Sequence, residues 1–562
     1  MPDVSPSSAE PDQPVPMVES EATENRPAST TIKAWPVYLL LIAVSAALLA
    51  GRILSLQPTL ENRNSPFFSA NDRSRWATVK ALGDEGTYEI DDLVLMTEEV
   101  AGRKVRPWDS IDKVAHRGKD GQIHYYSSKP TLFPTLLAFK YRWLKAFTGK
   151  DLEHDRFAMA KMILILTNVL PFAIYLGLLA ILVHRMSVAD WAGWTVVAGA
   201  GMGTFLSTFA ISINNHLPAA ICVMVVVFCW LQLADRRAKG IGWFILAGLA
   251  AAFAVSNELP ALSLLCLASL GFLWLNWKFF ILGFLPAAGL IASAHFGTNW
   301  QAHESWRPAY AHRQDGPVFG KLDPKWDEML DRQRLPDELR DELKSQGVEL
   351  SPVWSLWEGE MKIPDGDRRW VLMDLSTKQR WALVLREGQE QIDLHQWDNW
   401  YEYPGSYWTR DVSQRSKVDQ GEPSRARYLM HMTVGHHGIW SLTPMWLLSL
   451  LGAVIWLWRG KTSQRLLVIA FAMLFIVCLS FYTARPLIDR NYGGQTSGLR
   501  WMFWFTPFFL MTMLPAVDAL RKSTAGKVTV IILVGLSVVS ATISAMNPWV
   551  HPWMYQWFFA GS

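Results

Sequence analysis

FAMAKMILILTNVLPFAIYLGLLAILV, residues 157–183, carries a single charged side chain, Lys161, and runs into His184-Arg185. A helix needs about 20 apolar residues to cross a hydrocarbon core about 30 Å thick. This block exceeds that length and closes on basic residues, as a span does where it reaches the inner face of a membrane. Similar blocks lie at 35–56, 191–213, 217–233, 241–255, 259–275 and 279–295, and again at 439–458, 466–482, 499–520 and 528–546. The expected fold is an α-helical polytopic membrane protein of about eleven spans.

The composition agrees. Half of the 562 residues are hydrophobic and 18% are charged, against about a quarter charged in soluble proteins. The charge is concentrated in two long stretches rather than spread along the chain. A net charge of +3 is too small to point to nucleic acid. Cys222, Cys229, Cys266 and Cys478 all fall in apolar blocks without metal-ligand spacing, so neither structural disulfides nor thiolate-bound zinc is expected.

Basic residues in the short connections give the orientation. With the N-terminus inside, the inner connections hold His184-Arg185, Arg236-Arg237 with Lys239, Lys278, Arg459 with Lys461 and Arg465, and Arg521-Lys522 with Lys527, a consistent positive-inside alternation. The chain then divides into a disordered cytoplasmic tail (1–34), an N-terminal membrane module (35–296) with a first extracytoplasmic loop (57–156), an extracytoplasmic domain (297–438), C-terminal membrane helices (439–546) and an extracytoplasmic tail (547–562). The tail 1–34 is rich in Pro, Ser and Glu and poor in aromatics, too polar to offset its ordering entropy. It lacks the basic start and cleavage site of a secretory signal. The domain at 297–438 reads as mixed α/β, with a charged helical stretch at 336–344, period-two pieces at 369–375 and 381–385, and an aromatic run at 397–408.

Four features of the outer segments carry candidate chemistry. GDEGTYEIDD, residues 83–92, presents Asp84 and Glu85 just after an expected helix at 73–82, with Tyr88 close by. A carboxylate there can take a proton from an incoming hydroxyl. The same loop ends in YYSSKPTLFPTLLAF, where Lys129-Pro130 leads into an amphipathic stretch expected to lie along the membrane. Short outer turns hold Asn214, Asn215 and His216 at one place, and Asn257 with Glu258 at another. An ionisable group at membrane depth is costly and marks a functional candidate. HMTVGHHG supplies His431, His436 and His437 as substrate-binding candidates, with a divalent metal left open. RPLIDRNYGGQTSGLRW, residues 485–501, places Arg485, Arg490, Tyr492 and Arg500 on the outer side, against the positive-inside trend, beside glycines whose backbone can approach an anion. A guanidinium at that surface matches a phosphate.

GDEGTY followed by SSKPTL resembles the acidic and Lys-Pro motifs of the protein O-mannosyltransferase and aminoarabinose transferase group, within the GT-C class of membrane glycosyltransferases. GLAAAFAVSNELPAL, residues 248–262, is similar to the group's corresponding span, and YGGQTSGLRW to C-terminal segments of related enzymes. The resemblance runs loosely over 35–290. It implies transfer of a sugar from a polyprenyl-phosphate lipid to an acceptor at the outer face of the plasma membrane. Asp84 would be the base, Glu85 its neighbour, and Lys129 with Arg500 the holders of the lipid phosphate, joined by Arg490. Asn214-Asn215-His216 and Asn257-Glu258 depart from the group's pattern. The competing readings are a transporter or flippase of a lipid-linked substrate and a non-catalytic protein with an outer binding domain. The catalytic reading expects Asp84, Lys129, Glu258 and Arg500 around one cavity.

Overall fold

The computed structural model describes residues 28–57, 67, 69–359 and 366–559. Most of the tail expected over 1–34 lies outside these residues, and the first helix, Ala28–Ser55, begins earlier than the apolar block alone suggests. Among the described residues, seven helices are long and apolar enough to cross a membrane: Ala34–Ser55, Arg156–Met186, His216–Ala234, Trp277–His303, Thr462–Ala484, Arg500–Leu520 and Thr524–Ile543. Shorter apolar helices occupy Ile241–Asn257, Leu259–Leu275 and Trp446–Arg459. Their outward faces keep large apolar side chains exposed, among them Leu270, Trp274, Leu282, Ile531 and Val539, a surface suited to lipid rather than water. Small residues let the helices approach closely. Gly248 lies against the Phe284 carbonyl and Gly452 against that of Thr512.

One expected span is interrupted. The block at 191–213 forms the helix Asp190–Met202, stops at Gly203, and resumes only as the short helix Phe205–Phe209. The chain between that turn and His216 is irregular and mostly buried, so its freed carbonyls need partners inside the protein. Asn168 donates to the carbonyls of Ala210 and Ser212 at 2.7 and 2.9 Å, and Asn214 donates to that of Phe209 at 2.8 Å. Asn168 itself sits in a π-helical turn, Ile165–Val169, within a longer helix.

The first polar segment builds the helix Ala70–Asp84, two hairpins, and a second helix, Leu132–Thr148. The hairpins pair β1 (Glu98–Val100) with β2 (Arg103–Val105), and β3 (Lys113–Arg117) with β4 (Ile123–Ser127). The helix Leu132–Thr148 buries Leu137, Tyr141 and Leu144 and exposes Leu136, Phe139, Trp143 and Phe147. It is apolar on both faces, the inner one packed and the outer one free for a lipid surface. The second polar segment forms a five-stranded antiparallel sheet in the order β5 (Val318–Leu322), β9 (Ile392–Gln396), β8 (Arg380–Leu385), β7 (Arg368–Asp374), β6 (Trp354–Glu358). Leu330, Leu339 and Leu343 of two short helices cover one face, packing on Trp370, Leu372, Leu383 and Leu394. Both period-two pieces are strands.

The two polar segments are sewn together by β3. Its Ala115 amide donates to the Trp400 carbonyl at 2.8 Å. His116 stacks on Tyr126 with ring centres 4.2 Å apart and lies 4.1 Å from Trp400, whose ring also stacks with His312 at 3.5 Å. Burial pushes the His116 imidazole down to about 4; the Arg117 carbonyl opposes this, and His312 and His124 add to it. A folded-state value below the unfolded 6.5 means that the contribution to stability is complete above pH 6.5 and lost as pH falls toward 4. The expected loss over that window is about 3 kcal/mol. Thermal unfolding followed between pH 7 and pH 4 checks this, and His116→Phe, which keeps the stacking, should flatten the dependence.

Candidate active site

The interrupted helix and the first polar segment meet in a cluster of charged side chains. Ser69 caps the helix Ala70–Asp84: its hydroxyl accepts from the Asp72 amide at 3.3 Å and donates to Asp72 Oδ2 at 3.0 Å, which holds that carboxylate at the helix start. Trp549 Nε1 also donates to Asp72 Oδ2, at 3.0 Å. Asp72 is fully buried, and its other oxygen, Oδ1, has no hydrogen-bond partner. Burial pushes this carboxyl well above the usual carboxylate range, against the pull of Arg75, Ser69, Trp549 and Arg500.

Arg75, one turn further along and only 3% exposed, donates to Asn71 and to Asn215 Oδ1, the latter at 2.7 Å. Burial lowers it to about 10, with Asp72 opposing. Asn215 in turn donates to Glu258 Oε1 at 2.6 Å and to the Asn257 carbonyl at 3.0 Å. Glu258 pairs with His216 Nδ1. On the far side of that ring, Arg500 Nη1 meets His216 Nε2 at 3.2 Å. A guanidinium can only donate, so Nε2 accepts and the imidazole proton sits on Nδ1, facing Glu258. Arg500 also faces the charges of Asp112, Glu258 and Asp72.

The β3–β4 hairpin delivers the remaining pair. Asp112 precedes β3 and Lys129 follows β4; they form an ion pair at 2.9 Å with 18% of each side chain exposed. Ser74 and Ser128 both donate to the Asp112 carbonyl, at 2.5 and 3.0 Å, which docks the hairpin ends onto the helix. Burial lowers Lys129 to about 8; Asp112 opposes it, while Arg75 and Arg500 add to it. Asp112 moves the other way. Burial would raise it, but Lys129, Arg500 and Arg75 more than offset that and hold it below the ordinary value. Three cations, three carboxylates and a histidine from distant stretches thus occupy one region.

The cluster gathers Lys129, His216, Asn257, Glu258 and Arg500 from the sequence candidates, and leaves others out. Asp84 ends the helix that Asp72 begins, about 18 Å further along the axis. It accepts from Lys145 at 2.7 Å, Lys80 at 2.9 Å and Tyr141 at 2.9 Å. Burial would raise its carboxyl, yet those three donors outweigh it and hold the value below the usual range, the reverse of what a base needs. Glu85 is exposed and caps the helix through its backbone. Asp84 and Glu85 thus lie outside the cluster, and the carboxylate that the helix Ala70–Asp84 brings into it is Asp72. A side chain at Gly83 would collide with the Tyr141 ring. Tyr88 bonds Thr135 at 2.8 Å. Arg490 donates to the Pro423 carbonyl at 2.7 Å, fastening a loop instead of joining the cluster. His436 and His437 stack with His431 and Tyr492 in a separate aromatic group, which gathers no metal-binding set among the described residues.

Sequence reasoning missed Asp72, Arg75 and Asp112. Ser69-Ala-Asn-Asp72 is a legible capping-box signature, and Asp72 and Arg75 share a helical face at a spacing of three. Asp112 left no signal. Beside the cluster lies a small, mainly apolar crevice of about 30 Å³, lined by Phe205, Leu442, Trp446, Met502, Phe503 and Phe509 together with His437 and Gly498. The Phe503 ring lies 6.0 Å from that of His216, so the crevice adjoins the charged region.

Fold and site together define a membrane-embedded helical protein with a small β region and a charged cluster beside an apolar crevice. No protein-family model matches the chain, and no curated protein matches it significantly.

Gly493 holds Arg500 in place. Its φ is +99°, its carbonyl accepts from Arg500 Nε at 2.8 Å, and an added Cβ would lie 2.8 Å from that nitrogen. Gly494 also has a positive φ, +78°, but open space around it. Gly494→Ala should lower stability by about 1–2 kcal/mol through the backbone alone. Gly493→Ala should cost about 1–3 kcal/mol more from crowding. Thermal unfolding of the two variants in detergent reads the difference.

Proposed function

We propose that the chain is a GT-C class membrane glycosyltransferase of about eleven spans, moving a sugar from a polyprenyl-phosphate donor to an acceptor hydroxyl on the extracytoplasmic face of the plasma membrane. The observation that carries this reading is Asp72. It is a buried carboxylate with one oxygen fixed and the other unpartnered, in the same cluster as Arg75, Lys129 and Arg500. In this reading Asp72 Oδ1 takes the acceptor proton as the acceptor oxygen bonds the anomeric carbon. The bond from that carbon to the phosphate oxygen breaks, and the lipid phosphate leaves with the electron pair. Charge grows on the phosphate as it departs, so cations already in place lower the barrier. Arg500 and Lys129 hold the phosphate, with Arg75 behind them. Glu258 and His216 orient Arg500.

The apolar rings around Phe503, next to His216, offer the start of the donor tail an apolar contact close to the cluster. The exposed face of the helix Leu132–Thr148 suits the membrane surface, and the positive-inside pattern puts the polar segments outside. A donor that arrives through the bilayer meets the need of a site without access to nucleotide sugars.

The test sets Asp72 against Asp84. With purified protein, a synthetic polyprenyl-phosphate sugar and a panel of envelope acceptors, Asp72→Asn should lower turnover by about 10²- to 10⁴-fold without loss of folding. Asp84→Asn should reduce thermal stability and keep most of the turnover. Wild-type turnover in Asp72→Asn would remove the base, and with it this reading.

A further inference from the structure

Among the described residues, a single group of metal-ligating side chains converges: Glu89, Asp91 and His124, whose donor atoms all lie within 4.8 Å of one another. His124 lies on β4, Asp91 starts the helix Asp91–Leu95 and Glu89 stands in the turn before it; the group takes no part in the charged cluster. We propose that it is a binding site for a divalent first-row cation of the Zn²⁺ or Mn²⁺ type, which clamps the first polar segment.

The donors are one imidazole and two carboxylates, a mixed nitrogen and oxygen set that suits these ions. His124 Nδ1 lies 3.1 Å from Asp91 Oδ2 and 3.9 Å from Glu89 Oε2. Ligands held at about 2.0–2.2 Å around a tetrahedral ion stand about 3.4 Å apart, so His124 needs shifts of no more than about half an ångström relative to each carboxylate, and the whole set, within 4.8 Å, closes on an ion by side-chain movement alone. The side chains remain 20–39% exposed, which leaves an entry path and room for water as a further ligand.

The neighbours orient the set. His124 Nε2 lies 3.1 Å from the Asp120 carboxylate; with an ion bound, the ring proton would sit there and Nδ1 would face the ion beside Glu89 and Asp91. A carboxylate behind a ligating imidazole is the usual supporting arrangement at metal sites. The Tyr125 amide donates to Asp91 Oδ1 at 3.1 Å, and the Tyr126 hydroxyl to Glu89 Oε1 at 3.3 Å. Each carboxylate thus has one oxygen engaged by β4 and the other turned toward His124 Nδ1.

Such an ion would tie the start of the helix Asp91–Leu95 and the turn before it to β4. The hairpin it fixes carries Asp112 at one end and Lys129 at the other. Its role is positional, remote from the reacting groups.

Tag-free, chelator-treated full-length protein in detergent is titrated with Zn²⁺ and with Mn²⁺, and binding is read by calorimetry and by elemental analysis after desalting. One ion per chain is expected, together with a higher unfolding temperature in its presence. Asp120→Asn should weaken binding by about 10- to 100-fold. Glu89→Gln and His124→Ala should abolish both the binding and the thermal shift. If His124→Ala fails to fold, Glu89→Gln and Asp120→Asn decide, since both preserve side-chain shape. Failure of both ions to bind stoichiometrically, or binding unchanged in Glu89→Gln and Asp120→Asn, overturns the proposal.

Discussion

Asp72, Arg75, Asp112, Lys129, Glu258 and Arg500 share one region at the edge of an apolar body, and moving a lone charge there from water costs several kcal/mol. That cost is met only when each group finds its partner, and the partners come from five separate stretches of chain. The helix Ala70–Asp84 brings Asp72 and Arg75, and the hairpin docked on it brings Asp112 and Lys129. The helix break brings Asn215 and His216, the end of Ile241–Asn257 brings Glu258, and the turn at Gly493 aims Arg500. Remove one, and a buried charge is left without compensation. The cluster therefore constrains how these five stretches can meet, whatever its net contribution to stability.

This constraint explains features that apolar periodicity alone would not produce. A continuous helix over 191–213 would satisfy its own backbone and lie straight. Instead it stops at Gly203, and two asparagines, Asn168 and Asn214, take up the carbonyls released. The irregular turn that follows is what lets Asn215 and His216 reach Glu258 and Arg75. The second polar segment closes the arrangement from the other side. Trp408 Nε1 donates to the Ile111 carbonyl at 2.8 Å, next to Asp112, and Tyr401 lies close enough to sense the Asp112 charge.

The GDEGTY stretch carries a packing and ion-pair network that its spacing in the sequence does not reveal. Adjacent acids after a helix read as a base, yet Asp84 anchors Lys80 and Lys145, and Lys80 reaches on to Glu153 at 3.1 Å. Gly83 clears the space for the Tyr141 ring. The network fastens the two helices of the first polar segment and, through the Tyr141 hydroxyl, the turn at Leu152. A strongly paired carboxylate is stabilised in its charged form, which suits an anchor and not an acceptor of protons.

The sequence by itself determined the helical membrane character, the two polar segments, and the β pieces within the second. Each follows from hydrophobic period and block length, which are local properties of the chain. Lys129, His216, Glu258 and Arg500 were legible as candidates for the same reason, since a charged or polar residue at the end of an apolar block stands out without knowledge of its neighbours. Tertiary structure alone decided that Asp72, rather than Asp84, joins them, and that Asp112 pairs with Lys129. Both carboxylates lie in hydrophilic stretches where an acid is unremarkable. What distinguishes them is desolvation and the approach of cations from remote segments, and neither quantity exists until the chain has folded.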